Sequence, residues 1–413
     1  MIRIVILTNA YPYLPGEQFI DDEIGFWAEH AEAHVTLMPA VAHGVPRDIP
    51  AGMAIDTTFT SGRLLGRLVA VLAALFDRMF RNELAHLWRT RKLGWRTGLR
   101  ALLHSSKVLQ QAGQLMRYTE KNGDIDVAYC YWNDTQSYAA ILAKARGRVR
   151  RVVSRVHGVD LYEPRRYREY MPLKRQFIRG YDRIFVLSLH AAAYMQATYG
   201  ALPEKLELIP LGVPFDDLLS QPSPAGCVHV VSVSFCLPVK RLGRIVDGLA
   251  MFARDNPGVA VKWTHVGGGP LLEETRSLAQ RKLDGITNLS FEFRGYVPHE
   301  HVRRVFLEVP VDVLVNTSES EGTPVSMMEA MSTGVPVVAP DVGGISYVVS
   351  DRCGALMSGS PDGREISKAI ARVALGEERD DLRANARQVI EKRFDASRNY
   401  RDFVSNVLSM GAT

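Results

Sequence analysis

The feature that most constrains this chain is a repeated alternation between short, almost wholly apolar runs rich in β-branched residues and longer stretches with helical periodicity. Strands that are apolar on both faces indicate parallel sheets covered by helices on either side. Ten such runs stand out, five in each half of the chain: 3–7, 34–38, 127–131, 152–155, 183–187, 228–232, 259–265, 289–293, 311–316 and 335–339. Two sets of five strands predict two doubly wound α/β domains.

The length of the chain leads to the same division. Its 413 residues suggest two domains of about 200 residues each. Between residues 212 and 226 the periodicity stops, and Pro214, Pro222 and Pro224 cluster there. We therefore predict an N-terminal domain over 1–212 and a C-terminal domain over 227–394. The amphipathic segment 395–413 is expected to pack back on the first domain.

Cysteine use and hydropathy restrict the class of protein. The four cysteines show no CxxC spacing, which is typical of reduced cytosolic thiols rather than of disulfides or a zinc site. The longest apolar run, 68–76, has nine residues, whereas a membrane-spanning helix needs about 20. The N-terminus runs directly into the first predicted strand and does not resemble a signal peptide. These observations predict a cytoplasmic protein.

The basic charge of the chain is concentrated in its first half. Residues 1–220 carry a net charge of +6 and residues 221–413 a net charge of −1, and residues 61–110 hold ten basic but only two acidic side chains. Such a surface favours anionic partners such as phosphates or membrane headgroups. The segment 64–107 also contains Leu68, Leu72, Phe76, Trp88 and Trp95. Two interpretations remain open: peripheral contact with an anionic membrane, or ordinary domain helices with arginines on their outer face.

The most informative segment lies between residues 316 and 339. A strand ending near Val315 leads through a polar turn into a helix. We expect Thr323 to cap this helix and Pro324 to occupy its first position, where a missing amide costs nothing. Gly334 is expected to end the helix before the next strand. In open α/β sheets, ligands bind beyond the carboxyl ends of the strands, so this turn is a candidate site.

The start of this predicted helix suits an anion. The amides of Val325, Ser326 and Met327 have no acceptor within the helix, so they are expected to bind a phosphate. Glu329 lies one turn further along the same face, and Glu321 precedes the helix on the other side of the phosphate position. Gly322 lets the backbone approach a ligand closely. The arrangement favours a molecule with a sugar, a diphosphate and a ribose in line.

The run from Glu321 to Glu329, with the apolar strand that follows, resembles the Glu-x7-Glu signature of glycosyltransferase family four, and the turn 341–344 continues the likeness. The resemblance implies a GT-B fold, in which two Rossmann-like domains face each other across a cleft. It also implies retention of anomeric configuration without metal or cofactor. By this likeness Glu321 contacts hydroxyls of the donor sugar and Glu329 holds the ribose. The resemblance places the donor against the following residues: Gly322, Thr323, Pro324, Val325 and Ser326.

The loop after the first strand of the second domain resembles the family's phosphate loop. Lys240 matches the lysine that neutralises the leaving diphosphate. Phe235 stands where the family has an arginine, and Arg241 is the candidate for the second charge because a guanidinium suits phosphate. Val297 matches the position whose backbone commonly contacts the base. Tyr347 stands where many relatives have a glutamate.

The first domain contributes further candidates by the same resemblance. His157 matches the histidine of a His-Gly turn that approaches the donor sugar. The loop that follows the first strand carries Gly16, expected against the donor, and Glu17, which with Asp160 is an acceptor-side candidate. The pair Asp124 and Asp126 imitates a metal-binding DxD motif, but it begins a strand and its side chains alternate to opposite faces. We therefore predict no metal site.

The resulting hypothesis is a retaining glycosyltransferase of bacterial capsule, exopolysaccharide or lipopolysaccharide assembly, with Glu321, Lys240 and His157 at the reaction centre. The expected partners are a UDP- or GDP-linked sugar donor and a glycan or lipid-linked acceptor, and no nucleic acid. The departures at Phe235 and Tyr347 keep a second class open, a non-catalytic subunit that binds sugar nucleotides or glycans. The Glu-x7-Glu segment argues against GT-B epimerases and phosphorylases.

Overall fold

The structure, a computed structural model, describes residues 1–14, 16–60 and 64–412. Its described residues form two compact units, Met1–Ile209 with Tyr400–Thr413, and Pro210–Asn399. The segment 213–226, expected as a linker, therefore belongs to the second unit. The reason is local pairing, since the Val213 amide donates to the Phe394 carbonyl at 2.9 Å and Val213 forms a parallel bridge with Asp395.

Within the described residues, the first unit is built on a seven-stranded sheet with the order β3-β2-β1-β4-β5-β6-β7. All of its paired strands run parallel. This is the order of a Rossmann-type sheet, extended by one strand. The strands are β1 (Ile2–Thr8), β2 (Ala33–Pro39), β3 (Ala54–Ile55), β4 (Ile125–Cys130), β5 (Val149–Arg155), β6 (Arg183–Val186) and β7 (Leu206–Leu208).

Helices cover both faces of this sheet. Alternate residues of β1 point to opposite sides, so Leu7 packs in one core with Leu115, while Ile6 packs in the other with Trp27 and Phe403. The helices are α1 (Asp21–Ala28), α2 (Leu64–Phe76), α3 (Arg78–Arg89), α4 (Trp95–Asn122), α5 (Thr135–Lys144), α6 (Gly158–Leu161), α7 (Lys174–Phe177) and α8 (Leu189–Tyr194). The C-terminal helix also contributes to this unit, because Phe403 belongs to it.

The second unit repeats the plan. Its described residues form a six-stranded sheet with the order β10-β9-β8-β11-β12-β13, again with parallel pairs. The strands are β8 (Cys227–Val233), β9 (Ala260–Val266), β10 (Leu289–Gly295), β11 (Val313–Val315), β12 (Val337–Pro340) and β13 (Gly354–Met357). The helices are α9 (Leu242–Asp255), α10 (Leu272–Leu283), α11 (His299–Glu308), α12 (Val325–Ser332), α13 (Ile345–Val348), α14 (Gly363–Leu375) and α15 (Arg379–Arg393). The C-terminal helix α16 (Ala396–Ala412) begins in this unit and belongs to the first unit from Tyr400 onwards.

The predicted fold class is confirmed, because each of the ten predicted strands overlaps a strand of one of these two doubly wound sheets. The sequence pattern missed β3, β7 and β13. These strands have only two to four residues and lie at the edges of the sheets, where a long apolar run is not needed.

Candidate active site

The loops that follow β8, β9, β10 and β11 lie at one edge of the second sheet, because parallel strands present their carboxyl ends together. They carry several of the predicted site residues. Lys240 ends a short 3-10 turn, Pro238–Lys240, after β8. Val297 follows β10, and Glu321 follows β11.

The structure brings Lys240 and Glu321 together. The Lys240 Nζ donates to Glu321 Oε1 at 2.6 Å. The Ser318 hydroxyl donates to the same oxygen at 2.6 Å, and Asn316 Nδ2 lies 3.5 Å from it. Both charged side chains keep some exposure, 22% for the lysine and 13% for the glutamate. Two residues separated by 81 positions thus form a compact, partly open charge pair.

The turn 341–344 holds Glu321 in place. Gly343 has a φ of +58°, and a Cβ added to it would lie 2.0 Å from the Glu321 carbonyl oxygen. The Gly344 amide donates to that carbonyl at 3.3 Å. Only glycine combines this backbone conformation with so close an approach. The glycine pair therefore positions the acidic side chain of the site.

The start of α12 differs from the prediction in one respect. The helix begins at Val325, and Pro324, not Thr323, occupies the capping position. The Thr323 hydroxyl is buried and has no hydrogen-bond partner among the described residues. Proline fixes φ but leaves ψ free, and the ψ of Pro324 is 93°, which is extended rather than helical. The prediction of Thr323 as the cap was wrong by one residue.

Two of the three amides proposed to bind a phosphate remain available. In the part of the chain that the structure describes, the Val325 and Ser326 amides donate to no protein group. The Met327 amide donates to the Pro324 carbonyl at 3.1 Å. The prediction that Met327 presents a free amide is therefore wrong, because the first turn is tightened by this bond. The N-terminal end of the helix still offers two donors beside Gly322.

Glu329 is buried, and its Oε1 lies 3.4 Å from Nδ1 of His299, the first residue of α11. Sequence reasoning missed His299. Its position two residues after Val297 could have marked it as a candidate. Its approach to Glu329, however, depends on how α11 packs on α12.

Arg241 has a role that the sequence did not predict. Its Nε donates to the Thr317 carbonyl at 2.8 Å, and its Nη2 donates to the carbonyls of Ser318 and Gly359 at 2.7 and 3.0 Å. The guanidinium therefore ties the loops after β8, β11 and β13 together. Two of its three nitrogens are thus committed to carbonyls, and the expected role of Arg241 as the second cation for the diphosphate stays a prediction.

Glu17 is likewise committed inside the protein. Its carboxylate accepts hydrogen bonds from the backbone amides of residues 9–11 at 2.6 to 2.8 Å and from Trp132 Nε1 at 2.8 Å. It therefore fixes the loop after β1, and its expected contact with an acceptor stays a prediction. Gly16 lies in the same loop, where a Cβ would meet the Ala10 Cβ at 2.6 Å. Pro15, which directly precedes Gly16 in this loop, lies outside the described residues.

His157 follows β5 in the first unit and is stacked on Tyr131 with ring centroids 4.8 Å apart. Burial, together with the nearby Arg155, lowers its pKa to about 3, although a hydrogen bond to the Tyr131 backbone opposes this shift. The imidazole is therefore neutral near pH 7. Its Nε2 is buried without a partner among the described residues. Since Nε2 has no partner among these residues, the hydrogen bond to the Tyr131 backbone leaves this nitrogen for a ligand hydroxyl.

Asp160 supports the His157 turn. Its Oδ1 accepts the His157 amide at 2.6 Å and its Oδ2 accepts the Asn133 amide at 2.7 Å. Burial raises the pKa of Asp160 to about 6, against the influence of Lys174 and of these amides. The carboxylate is thus a structural acceptor for the turn, and its expected contact with an acceptor substrate stays a prediction.

Among the described residues, no cluster of three or more His, Cys, Asp or Glu side chains is arranged to hold a metal ion. The DxD-like pair is held by arginines instead. Asp124 pairs with Arg148 and Asp126 with Arg150, each at 3.3 Å. Both aspartates lie at the amino end of β4. Lys240 and His157, by contrast, follow the carboxyl ends of their own strands, β8 and β5.

Two parallel-sheet units with these site loops define the GT-B class of glycosyltransferases, and solved structures agree. The sucrose-phosphate synthase of Thermosynechococcus elongatus matches with a TM-score of 0.70 at 17% identity, covering 100% of both chains. Anabaena HepE in complex with UDP-glucose matches with a TM-score of 0.65 at 17% identity, covering 99% of this chain and 100% of that one. At such identities the likeness establishes the fold.

Sequence comparison identifies the family. Residues 67–217 match the model described as Glycosyltransferase Family 4, and residues 234–375 match Glycosyl transferases group 1. WcaL of Escherichia coli strain K12, named for colanic acid biosynthesis, is 26% identical over 223 residues, or 52% of this chain and 53% of that protein. The alignments thus span about half the length of the first curated relatives. The chain belongs to the family-four, group 1 glycosyltransferases.

Proposed function

We propose that this protein is a retaining glycosyltransferase that moves a sugar from a nucleotide diphosphate donor to a glycan or lipid-linked acceptor in bacterial surface polysaccharide assembly. The observation that carries the proposal is the Lys240–Glu321 pair beside the open amides of α12. A cation and helix amides suit a diphosphate, and a carboxylate suits sugar hydroxyls. Family membership and the name of WcaL support the choice of pathway class.

In this proposal each group has a defined task. Lys240 and the amides of Val325 and Ser326 bind the diphosphate. Oε2 of Glu321 accepts a hydroxyl of the donor sugar, since only Oε1 is used by protein partners among the described residues. Glu329 holds the ribose, and the Val297 backbone contacts the base. The nucleotide is UDP or GDP; the likeness to HepE bound to UDP-glucose is compatible with the first.

The chemistry requires no protein nucleophile. The acceptor hydroxyl attacks the anomeric carbon on the face from which the diphosphate departs, and a β-phosphate oxygen accepts the hydroxyl proton. One C–O bond breaks as another forms, so the configuration is retained. Lys240 and the α12 amides stabilise the negative charge that develops on the leaving group. The neutral His157 accepts a sugar hydroxyl at Nε2 and orients the ring.

The first experiment separates this proposal from a non-catalytic binding subunit. A thermal-shift screen with UDP, GDP, ADP and CDP should find one nucleotide that stabilises the chain, by about 2.7 kcal/mol at 100 times its Kd. Lys240→Ala should abolish the shift, whereas Lys262→Ala, whose ammonium forms an exposed pair with Glu292 at 3.9 Å, should preserve it. Binding without acceptor-dependent release of nucleoside diphosphate from the matched sugar donor would support the binding subunit instead.

We further propose that the first unit contacts an anionic membrane surface. Large apolar side chains on α2 are more than half exposed, and they belong to the stretch 61–110 that carries the basic surplus in the sequence. The same applies to the two tryptophans near the ends of α3 and α4. The set comprises Leu68, Val69, Leu72, Phe76, Trp88 and Trp95. No helix in the described ranges is long and apolar enough to cross a bilayer, so the contact is peripheral.

Vesicle sedimentation tests this contact. The protein should bind vesicles rich in phosphatidylglycerol and not pure phosphatidylcholine vesicles, with binding weakened at high salt. Leu72→Ser with Phe76→Ser should lower the bound fraction at least several-fold. Leu218→Ser, at an equally exposed leucine of the second unit, should leave it unchanged. A dimer in light scattering that these two serine substitutions dissociate, without lipid binding, would show that a second copy covers the face.

A further inference from the structure

The first unit contains a pocket outside the Lys240–Glu321 site. It lies beside the His157 turn, between α4, the loop that follows β4, and the start of α7. Arg100 and His104, one turn apart on α4, line one side, while Asp160 and Lys174 line the other. A second hollow adjoins it, shares Asp160 with it and adds Lys107 from the next turn of α4.

The floor of this pocket contains an unsatisfied donor. Asn133 is completely buried, and Lys174 Nζ donates to its carbonyl at 2.7 Å and to its Oδ1 at 2.6 Å. These bonds fix the orientation of the amide, because only its oxygen can accept from an ammonium. Its Nδ2 is buried and has no partner among the described residues. A buried donor left without a partner is costly, so the position favours an incoming oxygen acceptor.

The charges around this donor are predominantly positive. Arg100, Lys107, Arg166 and Lys174 line the two hollows, against the carboxylates of Asp134 and Asp160. Each oxygen of Asp160 already accepts a backbone amide. In the described part of the chain, the side chains of Arg100 and Lys107 make no hydrogen bond or ion pair, so their charges are available to a ligand. Guanidinium and ammonium groups around an amide donor suit an oxyanion.

We propose that this pocket binds an oxyanion carried by the acceptor, a phosphate or a carboxylate, and so selects acidic acceptors. This inference rests on the proposed transferase function. The pocket lies beside the turn of His157, because Asp160, which lines the pocket, also accepts the His157 amide, so an acceptor anchored here lies near His157. Asp134 is placed to accept a hydroxyl of the same molecule, which gives the pocket both an anion-binding side and a sugar-binding side.

The oxyanion has two chemical sources. One is the diphosphate of a lipid-linked acceptor, and the other is the carboxylate of an acidic sugar. On α4 the exposed Trp95, Leu99 and Leu103 follow one line along the helix, about 100° around from the line of Arg100 and Lys107. An acceptor whose lipid chain lies along the first line reaches the pocket with its headgroup. An acidic sugar has no lipid chain, so it does not require this line of apolar side chains beside the pocket.

Ligand-observed NMR on the full chain tests the proposal. The probes are inorganic pyrophosphate, glucuronate and glucose, and all measurements use Lys240→Ala protein so that the diphosphate site of the second unit does not contribute. We expect pyrophosphate or glucuronate to bind and glucose not to bind. Replacing Arg100→Gln together with Arg166→Gln should raise the Kd of the bound probe about tenfold or more, since each charged hydrogen bond is worth about a factor of ten. Lys121→Gln, at the exposed end of the same helix, is the matched control.

The outcomes separate the possibilities. Tighter binding of pyrophosphate identifies a phosphate-bearing acceptor, and tighter binding of glucuronate identifies an acidic sugar. Equal binding of glucose, or a Kd that the two arginine substitutions leave unchanged, overturns the proposal. Asn133→Asp, which replaces the orphan donor by an anion, should abolish oxyanion binding without the loss of volume that alanine would cause. The nucleotide thermal shift of chains with intact Lys240 reports the donor site separately, so failure here leaves that result unaffected.

Discussion

Lys240→Met and Glu321→Gln are each expected to lower kcat by about 10²–10³-fold while the protein remains folded. In the structure the two side chains form a pair at 2.6 Å in which their charges neutralise each other. In the proposed function, Lys240 neutralises the diphosphate of the bound donor and Glu321 accepts a hydroxyl of its sugar. Without the lysine, the glutamate carboxylate faces the diphosphate unscreened, so both the leaving group and the sugar lose their stabilising partners.

The measurement is initial-rate kinetics of acceptor-dependent nucleoside diphosphate release, with the donor nucleotide found by the thermal-shift screen. Because the two residues act as a unit, the double variant should be little worse than the poorer single one. Lys262→Met is the control and should retain wild-type rates. It removes the ion pair between Lys262 and Glu292, whose two side chains are 45% and 47% exposed. Single variants that keep more than half of the rate would contradict the assignment of Lys240 and Glu321.

Much of the fold could be predicted because its determinants are local. A strand buried on both faces must be apolar at nearly every position, as the stretch from Val228 to Val231 is, and such runs are visible without a structure. The Glu321–Glu329 segment could also be predicted from the sequence, because its glycines and the start of its helix occur at fixed spacings. Short edge strands such as β3 do not need an apolar residue at nearly every position, so the sequence pattern missed them.

The rest of the site depends on tertiary contacts that no local pattern reveals. Arg241, Glu17 and Asp160 are polar residues in site loops, and the sequence alone does not tell whether they face a ligand or the backbone. In the structure each bonds nearby backbone groups, Arg241 as a donor and the two carboxylates as acceptors. His299 shows the opposite case, where an unremarked residue comes within 3.4 Å of Glu329 because two helices pack together.

The second large effect concerns stability and a pair that sequence reasoning did not find. Glu23 of α1 and Arg155 of β5 form an ion pair at 2.5 Å, with side chains 1% and 0% exposed. Trp27 Nε1 also donates to Glu23, at 3.1 Å, and the guanidinium carbon lies 3.9 Å from the Phe403 ring centroid. The pair thus joins the N-terminal helix, the sheet and the C-terminal helix of the first unit.

Glu23→Ala is expected to lower the free energy of unfolding of the first unit by about 3–5 kcal/mol, because it leaves the buried Arg155 charge uncompensated. Arg155 Nε and Nη2 already lack partners among the described residues, so the guanidinium has no alternative acceptor at hand. Urea unfolding followed by tryptophan fluorescence measures the loss, since four of the five tryptophans belong to the first unit.

Glu29→Ala is the matched control. Glu29 directly follows α1 and also pairs with an arginine, Arg401, but at 3.4 Å with both side chains about half exposed. It should cost less than about 1 kcal/mol. Glu23→Leu combined with Arg155→Met removes both charges and should recover much of the stability that either single change loses, since apolar side chains of similar volume often replace a buried pair without penalty. If the double variant is instead as unstable as the sum of the single variants, the pair stabilises the unit through its packing with Trp27 and Phe403 rather than through charge compensation.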